Sequence, residues 1–594
     1  MGFRAPLDDI SFALRRVADL DGAIAAGAAG ELTDDLVDAI VGEAARFGEE
    51  VLAPLNATGD RIGARFADGK VTTPPGWKEA YRDFAAAGWT GLVAPTEYGG
   101  QGLPLLLYMA VQDIFNASNP AFITGSMLST GAVHAIDEYG TRELKDRWLP
   151  RLVSGEWTAT MNLTEPHAGS DLGAMRTKAE PRPDGTYRLF GQKIFITYGE
   201  HDMADNIVHL VLARLPDAPQ GSKGISMFLV PKRLLNDDGS LGATNDLACG
   251  GIEHKLGLHG SPTCTMLYGP KGEGAVGWMV GEPNRGLEAM FLMMNRARVS
   301  VGLQGVGVAE RAYQHALDYA RERKQGRPIG KKGGDMVPIV EHPDIERHLI
   351  GMKARIAVSR AICYACAGAE DRSRAGTGEE RAVWSERVAL LTPVAKAFST
   401  DLALEVTQSA VQVHGGAGYI EETGVAQYYR DARVFAIYEG TNGIQAIDLV
   451  MRKLPLAQGG AVTRFGQYLR ENIDLVAESN DPAFGRTAEI LKAALEDLTV
   501  ATRHLLGLLI AGKYNDALAG ATPYLHLFGL TTGGTLIAAG AAREGRGGAS
   551  SPARVALARY FAENHVGQTA SLRTTVTDGA ASLFAATEQI LAKG

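Results

Sequence analysis

Residues 434–445 read VFAIYEGTNGIQ: five apolar or aromatic residues, Val434 to Tyr438, then an acid, Glu439, then a Gly-Thr-Asn-Gly turn. A carboxylate closing a run that should be buried has two readings. It bends back to water or caps the turn that follows, the usual outcome for an isolated acid, because buried unpaired acids are rare. Alternatively the apolar run desolvates it and raises its pKa above the reference of about 4.3. A base moved toward neutrality is better matched to removing a proton from carbon.

Four other stretches could carry chemistry. MNLTEPHAGSD (161–171) places Thr164, Pro166, Gly169 and Ser170 at the edge of a β-region. Small residues with exposed N–H groups suit an anion or a polar ring edge, and equally suit a surface turn. In KIFITYG (193–199), Phe195 and Thr197 share one face of a strand and could hold a flat heterocycle or simply pack a core. RERKQGRP (321–328) carries four cations at a helix end, suited to solvent or to phosphate. QVHGGAGY (412–419) opens a turn with three glycines after a helix, where backbone could approach a pyrophosphate. Neither it nor GLQGVGVAE (302–310) matches G-x-G-x-x-G, and both follow helices, which argues against a Rossmann site.

These stretches need a scaffold, and 594 residues are enough for two to four domains. The chain is 45% hydrophobic and 21% charged, as in soluble globular proteins. A net charge of -9 gives no reason to expect nucleic acid or an anionic membrane as partner. No apolar run approaches the ~18 residues of a membrane-spanning helix. The N-terminal MGFRAPLDDISFALRRVADL has early acids and no long apolar stretch, so no signal peptide is expected, and it lacks the myristoylation pattern. The C-x-x-C of Cys363 and Cys366 has neither a second ligand pair nor a thioredoxin-like context. Reduced thiols in a helix and a cytoplasmic location are expected, and no metal.

Residues 1–157 read as helices, including LVDAIVGEAARFGEEVLAPLN, WKEAYRDFAAAGW and TRELKDRWLPRLVSG, with Gly88 and Gly155 as C-terminal caps. Residues 158–283 read as a β-domain, with TYRLFGQKIFITYG, ADNIVHLVLARL and KGISMFLVPK as strands. Long helices return over 284–453, and an extra helical block fills 454–594, broken at GAAREGRGGASSPAR.

The motifs PTEYGGQGLP, LTEPHAGSD, KIFITYG, VGEPNRGL with MNRARV, ERKQGRPI, QVHGGAGY and YEGTNGIQ, in this order across residues 40–450, resemble the acyl-CoA dehydrogenase family. The resemblance implies an α+β, mainly α fold: an N-terminal helical domain, a β-barrel-like middle domain, a four-helix bundle and, here, an extra C-terminal helical domain. It implies FAD and an acyl-CoA thioester. Met161, Leu163, Thr164, Gly169 and Ser170 would line the flavin, with Phe195 and Ile196 beside it and Thr197 near N5. Arg323 would meet the FAD phosphates, as would the backbone of Gln412, Gly415 and Gly416 from a partner subunit, and Thr441 would touch the ADP half. Ser170, Asn295, Arg298 and Gly440 would contact the acyl-CoA. Glu439 would be the catalytic base, since the alternative position used by some branches is Ala297 here. Two departures stand out: the usual E-R-x-x-F-G pattern lacks its Phe, and Gly443 follows Glu-Gly-Thr-Asn where many relatives carry a longer side chain.

The implied reaction is α,β-dehydrogenation to a trans-2-enoyl-CoA, with electrons passed to an electron-transferring flavoprotein. The extra C-terminal helices resemble a long bacterial branch that includes enzymes acting on 3-(methylthio)propanoyl-CoA. Long- or medium-chain acyl-CoA oxidation is the alternative substrate reading. An acyl-CoA oxidase and a non-catalytic DNA-associated relative are the rival functions, and the balanced charge of residues 455–594 speaks against the latter. A homodimer is expected.

Overall fold

The computed structural model describes residues 2–27, 32–330, 334–546 and 551–591. The chain divides into two compact units. One comprises Arg46–Leu103 and Ser118–Ala297; the other comprises Met1–Ala45, Pro104–Ala117 and Arg298–Gly594.

The first unit holds an eight-stranded mixed sheet. Across it run Leu247–Ile252, Thr263–Tyr268, Tyr187–Thr197, Ala275–Val280, Ser226–Pro231, Asn206–Ala213 and Trp157–Asn162, while Lys178–Pro181 pairs with Tyr187–Thr197. All pairs are antiparallel except Trp157–Asn162 with Asn206–Ala213. Asn206–Ala213 and Ser226–Pro231 are buried along their whole length. That explains why they read as near-continuous apolar runs and not as alternating ones. His209 fits into this interior because its Nδ1 bonds the Thr160 hydroxyl at 2.7 Å. Helices Trp77–Ala86, Pro120–Tyr139 and Arg142–Val153 belong to the same unit. Gly88 and Gly155 follow the first and third of these with φ of +78° and +80°, the left-handed conformation a helix stop favours.

The second unit is built on three long helices: Gly286–Glu322, whose residues from Arg298 onward belong here, Pro343–Ala375 and Gly378–His414. Helices Gly460–Glu478, Thr487–Ile510, Ala521–Arg546, Pro552–Asn564 and Thr569–Ile590 form the C-terminal block. Of the Gly-rich break in that block, residues 547–550 lie outside the described residues. Ala521–Arg546 is long and apolar enough to cross a membrane by composition, a feature the sequence reading passed over. It is the core helix of this unit, with 94% of its apolar window buried inside the protein. The chain's beginning packs on it: a Cβ at Gly540 would lie 2.8 Å from the Phe12 ring, and Arg543 donates to the Arg16 carbonyl at 3.1 Å. Below the bundle surface, Arg360 is 2% exposed and binds Asp113 at 2.6 Å, and Tyr364 donates to the same carboxylate at 3.0 Å. All four cysteines are free and buried.

Candidate active site

In the second unit the VFAIYEGTNGIQ stretch is not one buried run. Arg433–Ala436 form a 3₁₀ turn that buries Phe435, while Ile437 is 50% exposed. Tyr438 stacks near Phe435, with ring centroids 6.1 Å apart, and gives its hydroxyl to Gln304. Glu439 and Gly440 then both take positive φ, +54° and +82°. A left-handed glutamate is uncommon, and such strain persists only where the surroundings hold it. Here the holding groups are visible. Gln445 donates through Nε2 to the Glu439 carbonyl at 3.0 Å and to the Gly440 carbonyl at 3.3 Å. Lys396, fully buried on the Gly378–His414 helix, donates to the same Gly440 carbonyl at 2.9 Å and to Asn442 Oδ1 at 2.8 Å. Thr441, not Glu439, caps the Asn442–Asp448 helix, its hydroxyl accepting from the Ile444 N–H at 3.3 Å.

The Glu439 carboxyl is thus free for chemistry. Burial raises its pKa, and the charges of Arg298 and Lys396 oppose that rise without cancelling it. Burial acts on the cations in the opposite sense. It pushes Lys396 down to about 7 against the pull of Glu439 and Asp401, and it lowers Arg298, whose main partner is Asp448 at 3.5 Å. Among the described residues the Glu439 N–H meets no protein acceptor. An acid whose pKa burial raises, two cations that oppose the rise, and an available N–H donor make a site for carbanion chemistry beside a carbonyl.

In the first unit, LTEPHAGSD and KIFITYG are joined by a buried ion pair that the sequence reading did not assign. Lys193, fully buried, donates to Glu165 at 2.9 Å and to the Leu163 carbonyl at 2.9 Å. Glu165 also accepts from the N–H groups of Arg176 (2.7 Å) and Thr177 (3.0 Å) and from the Thr177 hydroxyl (2.6 Å). Burial favours the protonated form of Glu165, but these donors and the Lys193 charge together hold its pKa below the usual value. Lys193 is pushed down by burial to about 8. The Ile194 N–H donates to the Thr164 carbonyl at 2.9 Å. Just beyond, pairing with Thr263–Tyr268 shifts register, and Phe195 sits in the bulge with φ +60°. The bulge breaks the even alternation expected of the strand and leaves the Phe195 ring 59% exposed. Ile196 is buried, and Thr164 and Thr197 are half-buried. Their hydroxyls meet no protein partner among the described residues. An exposed ring, two unengaged hydroxyls and the open space around Gly169 fit a flat heterocycle with a polar edge. Met161 is buried, Leu163 half-buried, Gly169 and Ser170 exposed.

The remaining predicted contacts, apart from buried Arg298 and half-buried Gly440, are surface residues of their units. Arg323 is exposed, with its guanidinium on the Lys324 carbonyl at 3.1 Å and Gln325 Oε1 at 3.3 Å. Gln412, Gly415 and Gly416 are exposed where the Gly378–His414 helix ends, and Gly415 takes φ +58°. Thr441 is exposed, and Asn295 is exposed on the first unit's part of the long helix. Ala297 is buried. Arg298, expected on the acyl-CoA, is 5% exposed, faces Asp448, and its charge acts on Glu439. Lys396 was legible in principle, as the single cation in the small and apolar run TPVAKAFST.

Family models match four stretches: "Acyl-CoA dehydrogenase, N-terminal domain" over 35–156, the middle domain over 160–268, the C-terminal domain over 284–454, and "Acetyl-CoA dehydrogenase C-terminal like" over 468–587. The chain is 42% identical to 3-methylmercaptopropionyl-CoA dehydrogenase of Ruegeria pomeroyi over 99% of its own length and 100% of that protein's. It is 36% identical to a butyryl-CoA dehydrogenase of Syntrophomonas wolfei over 80% of this chain and 79% of that one. The solved structure of Caenorhabditis elegans ACDH-11 in complex with C11-CoA shares the fold, with a TM-score of 0.78 at 21% identity over 97% of this chain and 96% of that one.

Proposed function

The chain belongs to the acyl-CoA dehydrogenase family, FAD-dependent oxidoreductases acting on the CH–CH bond of an acyl-CoA, and from that premise we propose that it oxidises 3-(methylthio)propanoyl-CoA to the trans-2-enoyl thioester with Glu439 as base. The observation that carries the assignment is Glu439 itself: a half-buried carboxylate in a left-handed turn, its pKa raised by burial, clamped through its backbone and acted on by two cations. Glu439 removes the α-proton, and its own N–H is offered to the thioester carbonyl, where negative charge develops. The charges of Arg298 and Lys396 favour the ionised carboxylate that accepts that proton. Bound FAD would supply the acceptor for the β-hydrogen. Thr164, Phe195 and Thr197 would hold its ring, with Met161, Leu163, Gly169, Ser170 and Ile196 around them. Arg323 and Thr441, with the backbone of Gln412, Gly415 and Gly416 from a partner subunit, would hold its phosphate and ADP parts. Ser170, Asn295 and Gly440 would contact the substrate.

The substrate reading is supported by the Ruegeria relative, which aligns with the whole chain including the C-terminal block. The Syntrophomonas relative supports a short straight chain as the second reading. The proposal extends to four parts (1–157, 158–283, 284–453 and 454–594), an electron-transferring flavoprotein as acceptor, a homodimer and a cytoplasmic location. Glu439→Gln tests the base: substrate-driven flavin bleaching should slow by about a thousandfold with flavin content unchanged, and an undiminished rate removes Glu439 from the role. A panel of acyl-CoAs with and without a thioether tests the substrate. A higher kcat/KM for butyryl-CoA than for 3-(methylthio)propanoyl-CoA overturns the first reading.

A further inference from the structure

We propose that His526, on the core helix of the C-terminal block, is a positioning residue for Glu439, acting through a hydrogen-bonded chain of Asp401, Asn442 and Lys396. The inference rests on the reading of Glu439 as base, and every link lies within the second unit. His526 Nε2 donates to Asp401 Oδ2 at 3.0 Å. Asp401 Oδ1 accepts from Asn442 Nδ2 at 2.7 Å. Asn442 Oδ1 accepts from Lys396 Nζ at 2.8 Å, and Lys396 reaches the Gly440 carbonyl at 2.9 Å. The helix carrying His526 is pressed against this region: the His526 ring meets Phe398 edge-on at 5.9 Å, and a Cβ at Gly529 would lie 2.5 Å from the Phe398 ring.

The chain works because an amide has a donor end and an acceptor end. Asn442 can turn its oxygen to Lys396 only while its NH₂ finds acceptors on the other side, and Asp401 is the charged one. Asp401 is held by His526. If that hold is released, Asp401 is free to turn away from Asn442, whose NH₂ then loses the charged acceptor that keeps its oxygen on Lys396. Lys396 then leaves the Gly440 carbonyl, and the left-handed turn loses one of its two clamps. The charged groups around the base are few. Glu439 faces Arg298 and Lys396; Lys396 faces Glu439, Asp401 and Arg298; Arg298 faces Asp448, Glu439 and Arg452. A Lys396 that loses its seat on Asn442 and Gly440 therefore withdraws one of the two positive charges that oppose the burial-driven rise of Glu439. A helical domain appended to the bundle thereby takes part in setting the base.

The test uses full-length, flavin-loaded protein carrying His526→Gln, His526→Asn or His526→Leu. Flavin bleaching by excess 3-(methylthio)propanoyl-CoA, and separately by butyryl-CoA, is followed from pH 6 to 9. Gln places an amide donor near the position of Nε2, Asn falls short of Asp401, and Leu has no donor. The proposal expects His526→Asn and His526→Leu to lower kcat by about tenfold with KM unchanged, and to move the acid limb of the profile to higher pH. His526→Gln should superimpose on the parent. If Leu impairs flavin retention, Asn carries the test. Superimposable profiles for Asn and Leu overturn the proposal, and so does a Gln variant as impaired as they are. Glu439→Gln is run alongside. Parent-like bleaching there removes the base assignment, an outcome distinct from a silent His526.

Discussion

The Glu165–Lys193 pair gives an asymmetry that can be worked out from its bonds. Both side chains are essentially unexposed, at 3% and 0%, so solvent screening does not discount them. Lys193→Met leaves Glu165 with three hydrogen bonds, from the Arg176 and Thr177 N–H groups and the Thr177 hydroxyl, and with His167 Nε2 at 3.4 Å. The carboxylate is then still largely satisfied, and the cost should be about 2 kcal/mol, the worth of one charged hydrogen bond. Glu165→Leu removes all four hydrogen bonds and the His167 contact at once, and leaves Lys193 buried with only the Leu163 carbonyl. Breaking a buried pair from that side should cost about 4 kcal/mol. The double variant should cost less than the sum, because the uncompensated ammonium is gone. Thermal unfolding of the flavin-free and flavin-loaded proteins measures the stabilities, and fluorescence of released flavin measures affinity. FAD affinity should fall in the same order, since Thr164 and Phe195 lie on the two segments the pair joins. Glu165 titrates below its usual value of 4.5 in the folded chain, so the unfolded chain takes up the proton first on acidification. Its stabilisation is present above about pH 4.5 and lost as pH falls through the lower folded value. Lys193→Met should therefore move acid unfolding to higher pH. Equal costs for the two single variants, or FAD affinity unmoved by either, would refute this reasoning.

Two further perturbations address the base. Arg298→Gln removes one of the two charges that oppose the burial-driven rise of Glu439, so the acid limb of the pH–rate profile should move to higher pH; an unmoved limb would show that Arg298 acts only on Asp448. Gly440→Ala forces a side chain into φ +82° with its Cβ 2.8 Å from Gln445 Nε2. It should cost about 1–2 kcal/mol in thermal unfolding and slow flavin bleaching while flavin content stays at the parent level.

What the sequence made legible follows from how local each signal is. The long helices Gly286–Glu322 and Gly378–His414 and the strands Tyr187–Thr197 and Asn206–Ala213 are written in periodicity and composition, which a short window contains. The glycine stops at Gly88 and Gly155 are equally local. The bulge at Phe195 was not legible, because the register shift depends on the partner strand Thr263–Tyr268. Nor was the exposure of Ile437, since VFAIY reads as buried unless the 3₁₀ turn of Arg433–Ala436 is known. Lys396 lies 43 positions before Glu439, and only the packing of the Gly378–His414 helix brings it to Gly440. Glu165 and Lys193 stood inside quoted motifs, yet each looked like an ordinary charged residue until the fold took both out of water.

The charges around Glu439 also explain why this acid is flanked by two cations and not left in an apolar pocket. Burial alone would make the carboxyl a strong base but would keep it protonated and unable to accept a proton at all. Cations alone would keep it ionised but would make it too weak a base for a C–H bond. Arg298 is itself neutralised by Asp448 at 3.5 Å, and Lys396 is drawn toward neutrality by its own burial, so neither delivers a full charge to Glu439. The pKa therefore stays above its ordinary value, with both cations pulling it toward the ionised form. When the α-proton moves to Glu439, the negative charge moves to the thioester carbonyl. Groups that favoured the carboxylate before transfer can favour the enolate after it, provided the Glu439–Gly440 turn does not shift meanwhile. The buried bonds from Lys396 and Gln445 to that turn meet this requirement, and they meet it through backbone carbonyls, leaving the base's side chain unencumbered.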